Sequence, residues 1–468
     1  MRLRIAVLSL LAVAAAAAPA AAAPEPTRPA AAFTGSVGVN THVMSTSSAY
    51  GNLGATRQAL RTTGVRHIRD GIRGYLGSGD SWYWQAQLRR LGWLASDGVR
   101  LDLILPPADG SLGSTAAALL TALPLQDAIE SFEPANEWDL QGPAGRWPEQ
   151  IRRQTRQVDS ELRALPWLRS VPLLAPSFGQ TNSPVLVGDL SDVVDYGNAH
   201  PYANGGRPEL PEDSGQTSLL ENLGYMRLVS RDRPFMLTEA GYHNALSSRN
   251  AQRPVPEDVA AVYTLRTLLE HFRLGATRTF LYELVDEHPD PLNNQQEANW
   301  GLYRFDWTPK PAAVAIGNLL ALLRDPEPAP EDATLDYETR GGGLELRTVA
   351  LARPDGGFTL VLWRPESVWD HDRQRPIPVL ELPVTVTFAQ QFAVARVFRP
   401  LDGTAPVDQR TAVDAIDVAV GAEPVLLDLR QDAATVPAPS AEPVTVAGRI
   451  DAEIRRLLCR LARLRCPR

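Results

Sequence analysis

The sequence predicts an α/β protein, a (β/α)8 TIM barrel carrying a C-terminal antiparallel β-sandwich. Between Gly35 and Asp325, eight short Val/Ile/Leu/Phe-type runs alternate with longer amphipathic ones. None of the short runs is followed by the G-x-G-x-x-G turn that an open dinucleotide-binding sheet usually carries. Beyond a Pro/Glu-rich joint at residues 326–332 the apolar period changes to two.

The chain opens on a secretory-type signal at residues 1–23. Arg2 and Arg4 supply the positive start, Ile5 to Ala18 the apolar run and Ala21 to Ala23 an A-x-A cleavage site. A mature chain is therefore expected to begin near Pro24 and to be exported, to the extracellular space or the periplasm. No later stretch reaches the roughly 18 uninterrupted apolar residues of a membrane span. A short N-terminal segment, residues 24–34, leads into the barrel.

The eight strand-like runs are Ser36 to Val43, Arg66 to Gly71, Arg100 to Pro106, Ile129 to Glu137, Val171 to Phe178, Val194 to Tyr202, Pro234 to Tyr242 and Arg278 to Glu287. Between them, Trp82 to Val99, Glu149 to Leu165 and Asp258 to Ala276 repeat apolar residues at three and four, as amphipathic helices do. Lys310 to Asp325 closes the barrel as a helix opened by Pro309 and Pro311. Residues 333–430 read as strands broken by turns such as Pro354-Asp355-Gly356-Gly357, the pattern of a sandwich. An Ala/Pro-rich linker, 431–448, then leads to a basic amphipathic helix, 449–468, with Ile454, Leu457, Leu458, Leu461 and Leu464 on one face. That helix either docks on the protein or makes a weak contact with an anionic surface.

Composition narrows the function. Acidic residues outnumber basic ones by 54 to 46, for a net charge of −8, and Lys310 is the sole lysine, so nothing attracts nucleic acid. The two cysteines, Cys459 and Cys466, stand seven apart in the terminal helix, about 10.5 Å of rise, and their spacing demands no disulfide. The barrel holds no cysteine, which removes thiol catalysis and Cys-ligated zinc there. The seven histidines form no H-E-x-x-H or H-x-H pair, and no G-x-S-x-G follows a strand. Neither a metal nor a cofactor is expected.

Chemistry concentrates in two glutamates. Glu137 closes the fourth strand-like run and Glu239 lies near the end of the seventh, where barrel strands deliver side chains to the catalytic mouth. Fourth and seventh strands face each other across an eight-membered ring. A carboxylic acid and a carboxylate so placed can work on a glycosidic bond from both sides.

Asn136-Glu137, Glu239, Arg69 at the second strand, His200 and Tyr202 in Asn198-Ala199-His200-Pro201-Tyr202, and the stretch Trp300 to Ala312 together resemble glycoside hydrolase clan A. The resemblance spans about Gly35 to Asp325 and includes the domain order. It implies a retaining glycosidase acting on a carbohydrate, with water as second substrate, Glu137 as acid/base and Glu239 as nucleophile. Asn136 would bind the sugar 2-hydroxyl, Arg69 would keep Glu239 ionised, and Tyr202 and His200 would hold the two carboxylates.

Each assignment has a structural alternative. A strand-end Glu or Arg69 can serve an ordinary barrel ion pair, and His200 can merely end a strand before Pro201. Glu133, on the same strand face as Glu137, fits a structural carboxylate or a spare catalytic one. Glu283, Asp286 and Glu287 replace the sugar-stacking tryptophan common in related enzymes, offering polar sugar contacts or hard oxygen ligands for calcium. Trp82, Trp84, Trp138, Trp147, Trp300 and Tyr242 fall near the mouth loops; Trp138 is the first choice for a sugar contact, and packing is the alternative for the others. His42, at the first strand, is a sugar ligand or a core histidine. Two other functions remain open at this level: a non-catalytic carbohydrate-binding or cell-envelope protein, and an inverting hydrolase pairing Glu137 with Glu133 or Asp286.

Overall fold

Parallel strands buried on both faces read as continuous apolar runs, and the runs above become the staves of a barrel. The computed structural model describes residues 25–72, 81–108, 118–119, 122–210, 216–250, 252–325, 327, 329–330, 332–343 and 345–431. The signal-like residues 1–23 and the terminal helix with Cys459 and Cys466 lie outside them, as do the side chains of Trp82 and Trp84.

Seven of the eight expected strands form one parallel sheet: Val37–Asn40, His67–Gly71, Arg100–Ile104, Ile129–Glu133, Gly197–Ala199, Phe235–Ala240 and Arg278–Leu281. Its order runs fourth, third, second, first, eighth, seventh, sixth. The fifth differs from expectation, for only Leu173 and Leu174 pair, Leu173 with Phe132 and Leu174 with Tyr196, both in parallel. Pro172 and Pro176 flank this pair and have no N–H to give a ladder, which limits the strand to two residues. Those two bridges nevertheless join the sheet's edges and close the ring. The outer helices include Leu53–Thr63, Ser81–Ser96, Trp147–Ala164, Leu219–Ser230, Glu257–Arg273 and Pro311–Leu323. Asn52 and Ser218 cap two of them through hydrogen bonds from Ala55 and Glu221 amides.

The C-terminal strands are Tyr337–Gly341, Arg347–Ala352, Phe358–Trp363, Leu382–Phe398, Asp408–Val420 and Val425–Arg430. The long strand Leu382–Phe398 pairs first with Tyr337–Gly341 and then with Val425–Arg430, changing register against Asp408–Val420 between Thr387 and Phe392. Val384, Phe388, Phe392 and Leu427 form a core there separate from the barrel's. The start of the chain belongs to this domain too: Glu25–Pro26 pairs with Thr334–Leu335, and Arg28–Pro29 runs parallel to Leu351–Ala352 at the sheet edge.

Barrel and sandwich share a core in which Leu351, Val361, Trp363 and Leu426 meet Phe33, Leu269, Ile316 and Leu320. Helix Glu257–Arg273 is caught between them, and every residue from Val259 to Phe272 is buried. Inside that joint Arg266 pairs with Glu209 at 2.5 Å and the Trp363 indole donates to Glu209 at 2.7 Å. Burying two charges is costly unless every donor and lone pair is used, and here the partners are supplied from both domains. Among the described residues no helix is long and apolar enough to cross a membrane.

Candidate active site

The second strand carries Arg69 into the barrel axis, where burial would be ruinous for an unpaired guanidinium. All its donors are used. Nε and NH2 grip Glu133 at 2.9 and 3.0 Å, NH1 reaches Glu239 at 2.7 Å and Asn40 at 2.9 Å, and NH2 also reaches Asn136 at 2.6 Å. Burial tends to lower the Arg69 pKa, but the Glu133 and Glu239 charges outweigh it and hold the group firmly protonated.

Glu239 is the penultimate residue of its strand and is buried; besides Arg69 it accepts a 2.8 Å hydrogen bond from Tyr202. Burial alone would raise its pKa, yet His200, Arg69 and the Tyr202 hydroxyl together hold it below the usual carboxylate range. Burial, reinforced by the Glu239 charge, pushes Tyr202 far up, so it stays a phenol and a donor.

Glu137 is four residues beyond the last residue of its strand, not within it as the run Ile129 to Glu137 suggested. Its backbone is left-handed, with φ 42°, a conformation costing a non-glycine residue of order 1 kcal/mol or more. The short helix Trp138–Gln141 follows at once, and Asp139 fastens it to the neighbouring loop through the amides of Gly179 and Gln180 and the Ser183 hydroxyl. His200 Nδ1 lies 2.8 Å from Glu137 and 3.6 Å from Glu239, while its Nε2 lies 2.9 Å from Thr238. Burial would lower the His200 pKa, but the two carboxylates beside it raise it instead.

One carboxylate oxygen each of Glu137 and Glu239 and a nitrogen of His200 lie within 4.8 Å of one another. They open onto a cleft of about 440 Å³. Around its walls stand His42, Arg69, Asn136, Tyr202, Tyr282 and Trp300, with Gln216 from the loop after the sixth strand. The Trp300 ring meets Tyr202 at 5.2 Å and Tyr282 at 5.9 Å, edge to face, so three aromatic rings form one wall. Another hollow, about 580 Å³, opens beside Arg100 and Trp167, where the third and fourth strands begin, and contains neither of these glutamates.

Several expected contacts sit elsewhere. Trp138 turns away from the cleft into a core with Trp147 and Phe178, its indole donating to Gln150 at 3.1 Å. Tyr242 is buried too, its hydroxyl bonded to the Gly206 carbonyl at 3.1 Å. Both lie near the mouth in sequence but at an odd offset from the neighbouring glutamate, Trp138 one residue beyond Glu137 and Tyr242 three beyond Glu239, and both side chains are packed into apolar clusters. Glu283 is 1 % exposed and lies behind His42, 3.2 Å from its Nδ1, with Tyr50 donating at 3.1 Å. Glu287 also accepts from His42, whereas Asp286 is taken by Lys310 at 2.8 Å. The three acids therefore do not gather around one point, and the aromatic residue facing the cleft at the eighth strand is Tyr282, directly before Glu283. Glu133 is wholly buried and bound to Arg69, so neither it nor Asp286 borders the cleft.

No family model matches the sequence, and no curated protein matches it. Solved structures do match. A monomeric beta-xylosidase from Caulobacter crescentus CB15 is 14% identical with a TM-score of 0.51, over 88% of this chain and 98% of that one. A glucosidase from Croceicoccus marinus is 10% identical with a TM-score of 0.50, over 81% and 92%. A glycoside hydrolase family 30 subfamily 8 xylanase from Clostridium acetobutylicum is 12% identical with a TM-score of 0.50, over 84% and 96%. At these identities the likeness is one of fold, and it runs over 81 to 88% of the chain, the barrel expected from the sequence and much of the antiparallel C-terminal domain included.

Proposed function

We propose that the protein is a glycoside hydrolase working by double displacement, with Glu239 as nucleophile and Glu137 as acid/base. The observation that carries this is the closeness of the two carboxylates, within 4.8 Å over an open cleft. Retaining enzymes need carboxyl groups about 5 to 5.5 Å apart, whereas inverting ones leave about 6.5 to 9.5 Å for a water.

In the first step Glu239 attacks the anomeric carbon while Glu137 gives its proton to the departing oxygen. In the second, Glu137 takes a proton from water, which attacks the same carbon and releases Glu239. Arg69 and Tyr202 keep Glu239 anionic for the first step. Asn136 accepts from Arg69 and Ser177, which leaves its amide nitrogen as the end to meet the sugar 2-hydroxyl. The Tyr282, Trp300 and Tyr202 rings suit the C–H face of a pyranose. Residues 1–23 add the reading that the enzyme works outside the cytoplasm.

The test uses a panel of aryl glycosides and soluble polysaccharides, followed by proton NMR of the first anomer released. Retention, together with loss of turnover in Glu239→Gln, is the expected result. Initial inversion, or a Glu239→Gln variant as active as the parent, would sink it.

A further inference from the structure

Tyr202 reaches the nucleophile from a segment that bends sharply straight after it. Asn204 has φ 49° and Gly205 φ 73°, and a Cβ on Gly205 would stand 2.5 Å from the Arg253 carbonyl and 2.7 Å from the His371 ring. Such a turn is held from outside. The Tyr242 hydroxyl donates to the Gly206 carbonyl at 3.1 Å, the Arg253 amide to the Asn204 side chain at 2.7 Å, and His371 Nε2 to the Gly205 carbonyl at 3.0 Å. Ala203, Tyr242 and Trp369 share one buried apolar cluster.

Two of these holding groups, Trp369 and His371, belong to the sandwich. They sit in and beside a small hairpin in which Trp369–Asp370 pairs with Arg375–Pro376. Tyr242 is only three residues beyond Glu239. A closed circuit results: Glu239 leads along the chain to Tyr242, Tyr242 bonds Gly206, and Gly206 leads back to Tyr202, which bonds Glu239.

We propose that Tyr242 and the sandwich hairpin's Trp369 and His371 are positioning residues for the nucleophile, acting by holding Tyr202 on Glu239. This rests on the proposed role of Glu239, and it makes the C-terminal domain a working part of the site. None of the three borders the cleft, so their effect travels through the backbone of residues 203–206.

The test is a carbon-13 NMR titration of the full-length protein labelled at glutamate side-chain carboxyls, with the Glu239 signal identified by its loss in Glu239→Gln. Tyr202→Phe should move the Glu239 midpoint up by about one pH unit, the size of one charge-assisted hydrogen bond. Tyr242→Phe and Trp369→Leu should move it the same way. His371→Ala, at a half-buried position that disturbs packing little, should give a smaller shift of the same sign. None of these should add to Tyr202→Phe, because coupled residues are non-additive. Wild-type midpoints in Tyr242→Phe and His371→Ala, or shifts that add in full to that of Tyr202→Phe, would overturn the proposal. Because the titration needs no turnover, a wild-type protein that cleaves no glycoside would overturn the functional reading and leave this one decided separately.

Discussion

His200 Nδ1 stands 2.8 Å from Glu137 while the opposite edge of its ring, Nε2, stands 2.9 Å from Thr238. Pinned at both ends, the ring fixes where Glu137 points. One hydrogen bond to a charged group is worth about 1.5 to 3 kcal/mol, so His200→Phe should lower kcat about 10- to 100-fold. Steady-state kinetics on an aryl glycoside and on a natural glycoside checks this, with the larger loss expected where the leaving group needs a proton.

Arg69 is the counter-ion of both Glu133 and Glu239. Removing one partner from a buried ion pair costs about 3 to 5 kcal/mol, so Arg69→Met should unfold at much lower denaturant. Arg69→Lys keeps the charge but loses the bidentate grip. Its acid limb of kcat/KM should move to higher pH, because Glu239 is then less stabilised as an anion. A limb unchanged from wild type would mean that Arg69 does not set the Glu239 charge.

Gly179 faces Glu137, the proposed acid/base residue, without a side chain. A Cβ there would meet Leu140 Cδ1 at 2.3 Å and Glu137 Cδ at 3.3 Å. Gly179→Ala should therefore push Leu140 aside and misplace Glu137, lowering kcat about tenfold or more while the melting temperature moves by only a few degrees. Equal kcat in the two proteins would show that Leu140 absorbs the change alone.

The stability that the Glu283 carboxyl contributes should fall as pH rises from about 5 to 8. Burial pushes the Glu283 carboxyl up to about 7, even with His42 and Tyr50 bonded to it. A carboxyl raised on folding binds its proton more tightly in the native state, so its contribution is present at low pH and lost as pH climbs through the folded value. His42 titrates in the same sense: burial opposes its charge, but Glu283 and Glu287 overcome that and raise it, so its stabilisation also fades at high pH. Glu283→Gln should flatten the slope by about 3 kcal/mol across that window. Chemical denaturation at several pH values measures it, and a slope as steep in the variant as in the parent would count against this carboxyl.

Much of this was legible in the chain because the period of apolar residues is a direct print of which side is buried. Strand count and the strand-end position of the two glutamates follow from it, whereas Arg69, Asn136, His200 and Tyr202 are singled out only by the resemblance to glycoside hydrolase clan A, and the chain leaves His42 open between a sugar ligand and a core histidine. What periodicity does not carry is direction after a strand ends. Trp138 follows the left-handed Glu137 and Tyr242 follows Gly241 just past its strand, and both are buried, while Tyr282, one position before Glu283, faces the cleft. The fifth strand shrank for a reason already present, its two prolines. The union of Arg28–Pro29 with the distant sheet joins residues more than three hundred apart, and no local pattern announces it.

The double grip of Arg69 has a consequence for the reaction cycle. In the proposed double displacement Glu239 becomes an uncharged ester when bonded to the sugar, and a guanidinium that relied on it alone would be stranded in the barrel floor. The bidentate pairing of Arg69 with Glu133 does not involve Glu239, so the cation keeps a counter-charge whether or not Glu239 is charged. On that reading one carboxylate can be discharged and recharged while its buried counter-ion keeps a partner.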